Sequence, residues 1–269
     1  RLTYPDGREV GYTYNTQGLL ASVVTAEGTT SYQYDPDTGN MTRKTLPNGV
    51  YTVYTYDPAK RITKVDNRKV DNSLISSYEY EFDDNSNRSK VTEITPDGTL
   101  ITTYTYDKLN RLTRADYSDG RFEAYTYDPA GNRLTKTTQD GTTNYEYDTD
   151  NRLLKAGDTL YFYDNNGNMI KRVSPDKTEH FTYDYNNKLI AYTDSVSPSG
   201  NGSSGGTTSA TYTYDGDGHR VAKTVNGKMV RFVNDVNRPV DQVLMECTGN
   251  WLVSARYVYG VELISKETE

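Results

Sequence analysis

An aromatic doublet recurs along this chain and constrains its fold more than any other feature. Ten times, at intervals of 16 to 31 residues, an aromatic-x-aromatic pair appears, and in nine cases aspartate follows it. The copies are Tyr12-Thr13-Tyr14-Asn15, Tyr32-Gln33-Tyr34-Asp35, Tyr54-Thr55-Tyr56-Asp57, Tyr80-Glu81-Phe82-Asp83, Tyr104-Thr105-Tyr106-Asp107, Tyr125-Thr126-Tyr127-Asp128, Tyr145-Glu146-Tyr147-Asp148, Tyr161-Phe162-Tyr163-Asp164, Phe181-Thr182-Tyr183-Asp184 and Tyr212-Thr213-Tyr214-Asp215. An eleventh pair, Tyr257 and Tyr259, ends in Gly260. Such periodicity marks one supersecondary unit copied along the chain, each copy burying a face against the next.

A single copy reads as two strands and two turns. Ala124-Tyr125-Thr126-Tyr127 alternates, so its two tyrosines share one face of a strand. Asp128-Pro129-Ala130-Gly131-Asn132 supplies three turn formers: a self-bonding carboxylate, a fixed φ and a residue free to take positive φ. Arg133 to Thr138 is a second strand, and Gln139-Asp140-Gly141 predicts a tight type I′ hairpin. The first turn recurs as Asp107…Asn110-Arg111-Leu112, Asp148…Asn151-Arg152-Leu153 and Asp164…Gly167-Asn168-Met169. The second recurs at Glu27-Gly28, Asp97-Gly98 and Asn226-Gly227. Helical periodicity is absent. The expected architecture is all-β: an array of repeats about 20 residues long forming one continuous, twisted antiparallel hairpin ribbon.

Composition agrees with an array that lacks a thick aliphatic core. Leu, Ile, Val and Phe number 48 of 269 residues, while tyrosine alone numbers 26. The net charge of -7 argues against nucleic acid, which wants a basic stripe. No apolar stretch approaches the ~18 residues that span a bilayer. Cys247 stands alone, so no internal disulfide forms. Abundant Thr, Ser, Asn, Gly and Tyr lean towards an exported protein. The chain starts mid-pattern at Arg1-Leu2, which reads as a piece of a longer protein. Residues 1–228 form the repeat array. Residues 229–269, richer in aliphatic side chains, form its terminal section. Ser197 to Gly206 reads as an enlarged hairpin tip.

The pattern Tyr-x-Tyr-Asp-x-x-Gly/Asn-Arg/Asn-Leu resembles the YD-repeat, or RHS-repeat, family over essentially the whole chain. Asn237-Arg238-Pro239-Val240 and Arg256 to Gly260 resemble the last part of that family's core. Members include bacterial polymorphic toxins, wall-associated contact toxins, insecticidal toxin-complex subunits and the teneurins. The resemblance implies that the ribbon is part of a hollow β-shell or barrel, and in the toxins that shell encloses a C-terminal toxic domain. Those toxins usually close their core with an Asp-Pro-x-Gly-Leu-like self-cleavage motif, and nothing like it follows residue 260. Asp128-Pro129-Ala130-Gly131 matches in letters, but it sits in an ordinary repeat turn.

The tyrosines and aspartates of the doublets, with Arg111, Arg152, Gly131 and Gly167, are therefore read as scaffolding. The resulting expectation is a non-enzymatic, secreted or cell-surface bacterial wall for an effector domain of the same polypeptide, with no cofactor and no metal. Asp215-Gly216-Asp217-Gly218 lacks the spacing of a calcium loop, and His180 and His219 are too few for zinc. Cys247 reads as a small apolar residue. The alternative is an extracellular adhesion or carbohydrate-binding module, with Tyr192 and Tyr212 as the aromatic faces to test.

Overall fold

Residues 1–196, 206–236 and 242–268 are described by the computed structural model. Residues 197–205 of the expected tip and the segment Asn237-Arg238-Pro239-Val240 lie outside them. The described residues hold 25 β-strands and no helix, the all-β architecture that the turn spacing predicts.

Two units divide the chain. The first comprises Arg1–Thr126, Lys136–Thr142 and Gly260–Ile264. Its strands run from Leu2–Thr3 to Phe122–Tyr127, consecutive strands pairing antiparallel. The second comprises Tyr127–Thr135, Thr143–Tyr259 and Ser265–Glu269. The same consecutive pairing runs there from the strand ending at Tyr147 to Val253–Tyr259.

The repeats carry a bulge that sequence reasoning missed. The register slips by one residue just before the second aromatic at nine doublets, for example between Thr105 and Tyr106. Thr105 pairs with Arg114 but Tyr106 pairs with Leu112, leaving Thr113 as the extra residue. A bulge bends its strand and increases the local right-handed twist. It also sets each second aromatic opposite the residue that closes the turn: Tyr34 opposite Met41, Tyr56 opposite Ile62, Tyr147 opposite Leu153 and Tyr163 opposite Met169.

The interior is thin and only partly aliphatic. Tyr4, Val10, Val23, Thr30, Tyr32, Tyr51 and Ala115 are buried in the first unit. In the second, Ala210 and Ala222 are buried, and in the terminal section Phe232, Leu244, Met245, Cys247, Ala255 and Val258. Apart from exposed Tyr14 and buried Tyr32, the doublet tyrosines are half-buried, while the residue between them faces solvent, as at Tyr104-Thr105-Tyr106 and Tyr145-Glu146-Tyr147.

The hairpin turns correct one expectation. Asn226 and Gly227 both have positive φ, at 48° and 80°, as a type I′ turn requires. In the turns at Gly7, Gly49 and Gly120 glycine alone does, and in those at Asn72 and Trp251 that residue takes positive φ instead. Thr95 pairs with Gly98, so Pro96 and Asp97 are the central residues there, and Gly98 lies at φ 148° inside the ladder. Gly141, at φ 130°, follows the same rule, and Asp140 keeps negative φ. Proline, with φ fixed near -65°, cannot occupy a type I′ centre.

Candidate functional site: the tyrosine and aspartate spine

The aspartate turn is a closed set of hydrogen bonds. The Asp107 carbonyl accepts from the Asn110 N–H, and the Asp107 N–H donates to the Arg111 carbonyl, both at 3.0 Å. Its Oδ1 accepts from the N–H groups of Leu109 and Arg111 at 2.9 and 3.0 Å. Asp148, Asp164, Asp184 and Asp83 repeat this pattern, and Asn15 reproduces it with its amide oxygen. The fourth turn residue takes the left-handed conformation. It is Gly131 at φ 96°, Gly167 at 85°, Asn110 at 59° and Asn151 at 62°. Glycine and asparagine reach this region at least cost.

The second carboxylate oxygen holds the fifth residue. Asp57 Oδ2 accepts from Arg61 Nε at 2.6 Å, Asp107 from Arg111 at 2.7 Å and Asp148 from Arg152 at 2.6 Å. Asparagine takes that role beside Asp128 and Asp164, and His219 beside Asp215. The carboxyls of Asp107 and Asp148 sit below the usual range, first because the backbone N–H of the fifth residue donates to them, then because its guanidinium does. Asp128 and Asp164 are lowered chiefly by the asparagine side chain. The aspartates are thus turn formers. Among the described residues no group of three or more His, Cys, Asp or Glu could hold a metal ion.

Two further kinds of bond join neighbouring repeats. The fifth-residue amide donates to the fourth residue of the next turn: Asn87 to Asn110 at 2.9 Å, Asn132 to Asn151 at 2.7 Å and Asn168 to Asn187 at 2.8 Å. The second tyrosine donates its hydroxyl to a carbonyl of the preceding repeat. Tyr34 meets Leu20, Tyr56 meets Met41, Tyr106 meets Arg88, Tyr163 meets Leu153, Tyr183 meets Met169 and Tyr214 meets Leu189, at 2.8 to 3.2 Å. Tyr259 continues the series onto Val243 at 3.0 Å. Burial raises the pKa of each of these seven hydroxyls, so they stay protonated as donors.

The remaining doublet residues pack alongside. Arg61, already bound to Asp57, lies 4.5 Å over the Phe82 ring of the next repeat, and Arg152 lies 5.5 Å over Tyr163. Tyr145 and Tyr212 are covered by Arg133 and Arg220. The Tyr125 hydroxyl bonds Glu123. Tyr54, Tyr104 and Tyr161 are half-buried in their strands, as is Tyr127.

Gly260 breaks the doublet rule for a steric reason. Segment Gly260–Ile264 lies against the early strands of the first unit, where Lys44 pairs with Glu262. A Cβ on Gly260 would fall far inside contact distance of the Tyr32 hydroxyl oxygen. Tyr32 is 5% exposed, and burial, with Glu262 adding to it, pushes its pKa up to about 12.

Tyr192 is not an open aromatic face. Its hydroxyl touches Lys177, Glu179 and Asp194, each at 2.9 Å, and its ring tilts against Phe181. Sequence reasoning missed this charged group. Its trace was the spacing of two in Lys177-Thr178-Glu179 and again in Tyr192-Thr193-Asp194, which puts all four residues on one face once the register is known.

Comparison with known proteins places this geometry. The teneurin YD-shell profile matches residues 55–244. The chain belongs to the teneurin YD-shell family. The RHS repeat profile matches residues 1–30 and 34–69. The tRNA nuclease WapA of Bacillus subtilis is 34% identical over 266 residues, and the tRNA3(Ser)-specific nuclease WapA of Bacillus spizizenii is 33% identical. The matches cover 93% of this chain but only 10% of either relative. Among solved structures, TcdB2-TccC3-TEV shares 15% identity at a TM-score of 0.48, covering 96% of this chain and 18% of that one. The Photorhabdus luminescens Tc holotoxin pore shares 13% at 0.44, covering 98% and 18%. In this YD-shell member the repeats are structural, built from the ladder and spine described above. No helix among the described residues is long and apolar enough to cross a membrane.

Proposed function

We propose that this array is a wall segment of a hollow β-shell that encloses or scaffolds a C-terminal effector domain of the same polypeptide, in a bacterial protein that is secreted or displayed at the cell surface. The array itself turns over no substrate. The observation that carries this reading is the spine. Its bonds run from repeat to repeat, so the doublet side chains are spent on holding neighbours together. That is what a barrier needs: a hydrogen-bonded sheet without a gap between copies. Membership of the YD-shell family supports it, as does the match to a tenth of much longer proteins named as nucleases. On this reading residues 1–228 are the wall and residues 229–269 its more apolar terminal section.

Limited proteolysis of the full-length protein tests the proposal. The C-terminal domain should resist protease while the array is folded and become cleavable when the array is melted. Cleavage of the native protein at the rate of the isolated domain would refute enclosure.

One observation favours a second reading, a carbohydrate-binding surface. A groove of about 570 Å³ between the Asp164 and Asp184 turns is lined by Ile170, Phe181, Asn166 and Tyr185. Tyr185 is fully exposed, at a turn position where the other copies carry no aromatic residue. Glycan-array binding that disappears in Tyr185→Ala would support this reading, and an array without signal would remove it.

A further inference from the structure

Lys177, Glu179, Tyr192 and Asp194 share one face of two paired strands, Lys177–Tyr183 and Leu189–Val196, with Glu179 directly opposite Asp194. The spine uses none of them. Lys177 Nζ lies 2.8 Å from Asp194 Oδ2 and 3.2 Å from Glu179 Oε1. The Tyr192 hydroxyl lies 2.9 Å from all three of these atoms. The other oxygen of Asp194, Oδ1, accepts the Thr208 backbone N–H at 2.6 Å. Both carboxylate side chains are nearly buried, at 5% and 6% exposure. Arg172 pairs with the far oxygen of Glu179.

An amine, a carboxyl carbon one bond beyond its nearest contact, a second carboxylate and a donor on the spectator oxygen form a recognisable set. They are nucleophile, electrophile, proton acceptor and oxyanion donor. We propose that Lys177 and Asp194 join in an intramolecular isopeptide bond, with Glu179 as proton acceptor and Tyr192 as relay.

The step balances within the cluster. The charged lysine and ionised aspartate together hold three protons on Nζ. One passes through Tyr192 to Asp194 Oδ2, giving the neutral amine and the neutral acid. The amine lone pair attacks Asp194 Cγ, the C–N bond forms, and negative charge develops on Oδ1 beneath the Thr208 N–H. A second Nζ proton passes to Glu179 and on through Tyr192 to Oδ2. The Cγ–Oδ2 bond then breaks and Oδ2 leaves as water. One proton stays on the amide nitrogen, and Glu179 ends as it began. No oxidant, reductant or co-reactant takes part.

The ground state is the ion pair. Asp194, then Tyr192, hold the lysine well above its usual pKa, and Lys177, then the Thr208 N–H, hold Asp194 down to about 2. The neutral pair is therefore rare, and the bond forms slowly after folding. Once formed, it fastens neighbouring strands covalently beside residue 197.

Intact-mass spectrometry of the folded chain, with peptide mapping, tests this. After prolonged incubation the wild type should be lighter by one water, and the map should hold a branched peptide joining residues 177 and 194. Lys177→Arg keeps the ion pair but cannot form the amide, so it should show the full mass. Glu179→Gln, with its fold checked by circular dichroism, should also show the full mass. A wild-type chain of full mass with only linear peptides, or a water loss mapped elsewhere, overturns the proposal.

Discussion

Tyr163 donates its hydroxyl to the carbonyl of Leu153 at 2.9 Å, and Leu153 is the residue that the preceding bulge sets opposite Tyr147. One repeat thus bonds to the irregularity of the one before it. Tyr163→Phe removes the donor and keeps the ring, so it should cost about 0.5–1.5 kcal/mol in urea unfolding. Phe82 is the natural counterpart without a hydroxyl. Phe82→Tyr should restore the bond and raise stability. An unchanged urea midpoint in both variants would show that the hydroxyl contributes nothing.

The turns set a second test. Gly131 has φ 96°, and a side chain there would point into open space, so its constraint is conformational only. Gly131→Ala should cost about 1–2 kcal/mol by forcing a side chain into the left-handed region. Ser86 holds the same turn position at φ 69° and accepts Arg61 at 2.8 Å. Asparagine, used at this position elsewhere, should fit better: Ser86→Asn should raise the melting temperature while keeping an acceptor for Arg61.

Gly260→Ala tests the contact with Tyr32. The added methyl must displace the buried ring or the segment carrying Glu262. Melting temperature should fall, and the double variant with Tyr32→Phe should recover part of the loss, because the clashing oxygen is gone.

Acid should unfold the protein through its carboxylates. Arg172 first, with Tyr192 and Lys177, lowers Glu179 from 4.5 to about 2. Asp107, Asp128, Asp148 and Asp164 are also lowered. A folded pKa below the unfolded one gives stability that is complete above the unfolded value and is lost as pH falls through the folded one. Melting temperature should therefore change little between about pH 5 and 8 and drop from about pH 4.5 towards 2. Glu179→Gln should flatten part of that drop. A profile equally steep in the variant would remove Glu179 from this account.

The strand and turn plan was legible because each copy states it afresh: Tyr-x-Tyr gives the face, and Asp with Gly or Asn gives the turn. The bulge was not legible, since Thr113 looks like any other strand residue until Tyr106 is seen opposite Leu112. The preference for tyrosine over phenylalanine was visible, but its reason lies in carbonyls of the preceding copy, which no local reading supplies. Gly260 was noticed as a break, and only Tyr32, more than two hundred residues earlier, explains it. The Lys177 and Asp194 pairing likewise needed the register.

Native-state hydrogen exchange on the wild type and Tyr163→Phe tests the nearest-neighbour spine most directly. Protection should fall in the strand Thr159–Tyr163 and in the adjoining strands Leu153–Ala156 and Met169–Val173, while Tyr51–Tyr56 keeps its wild-type rates. Loss confined to Tyr163 itself, or spread evenly over every strand, would contradict it.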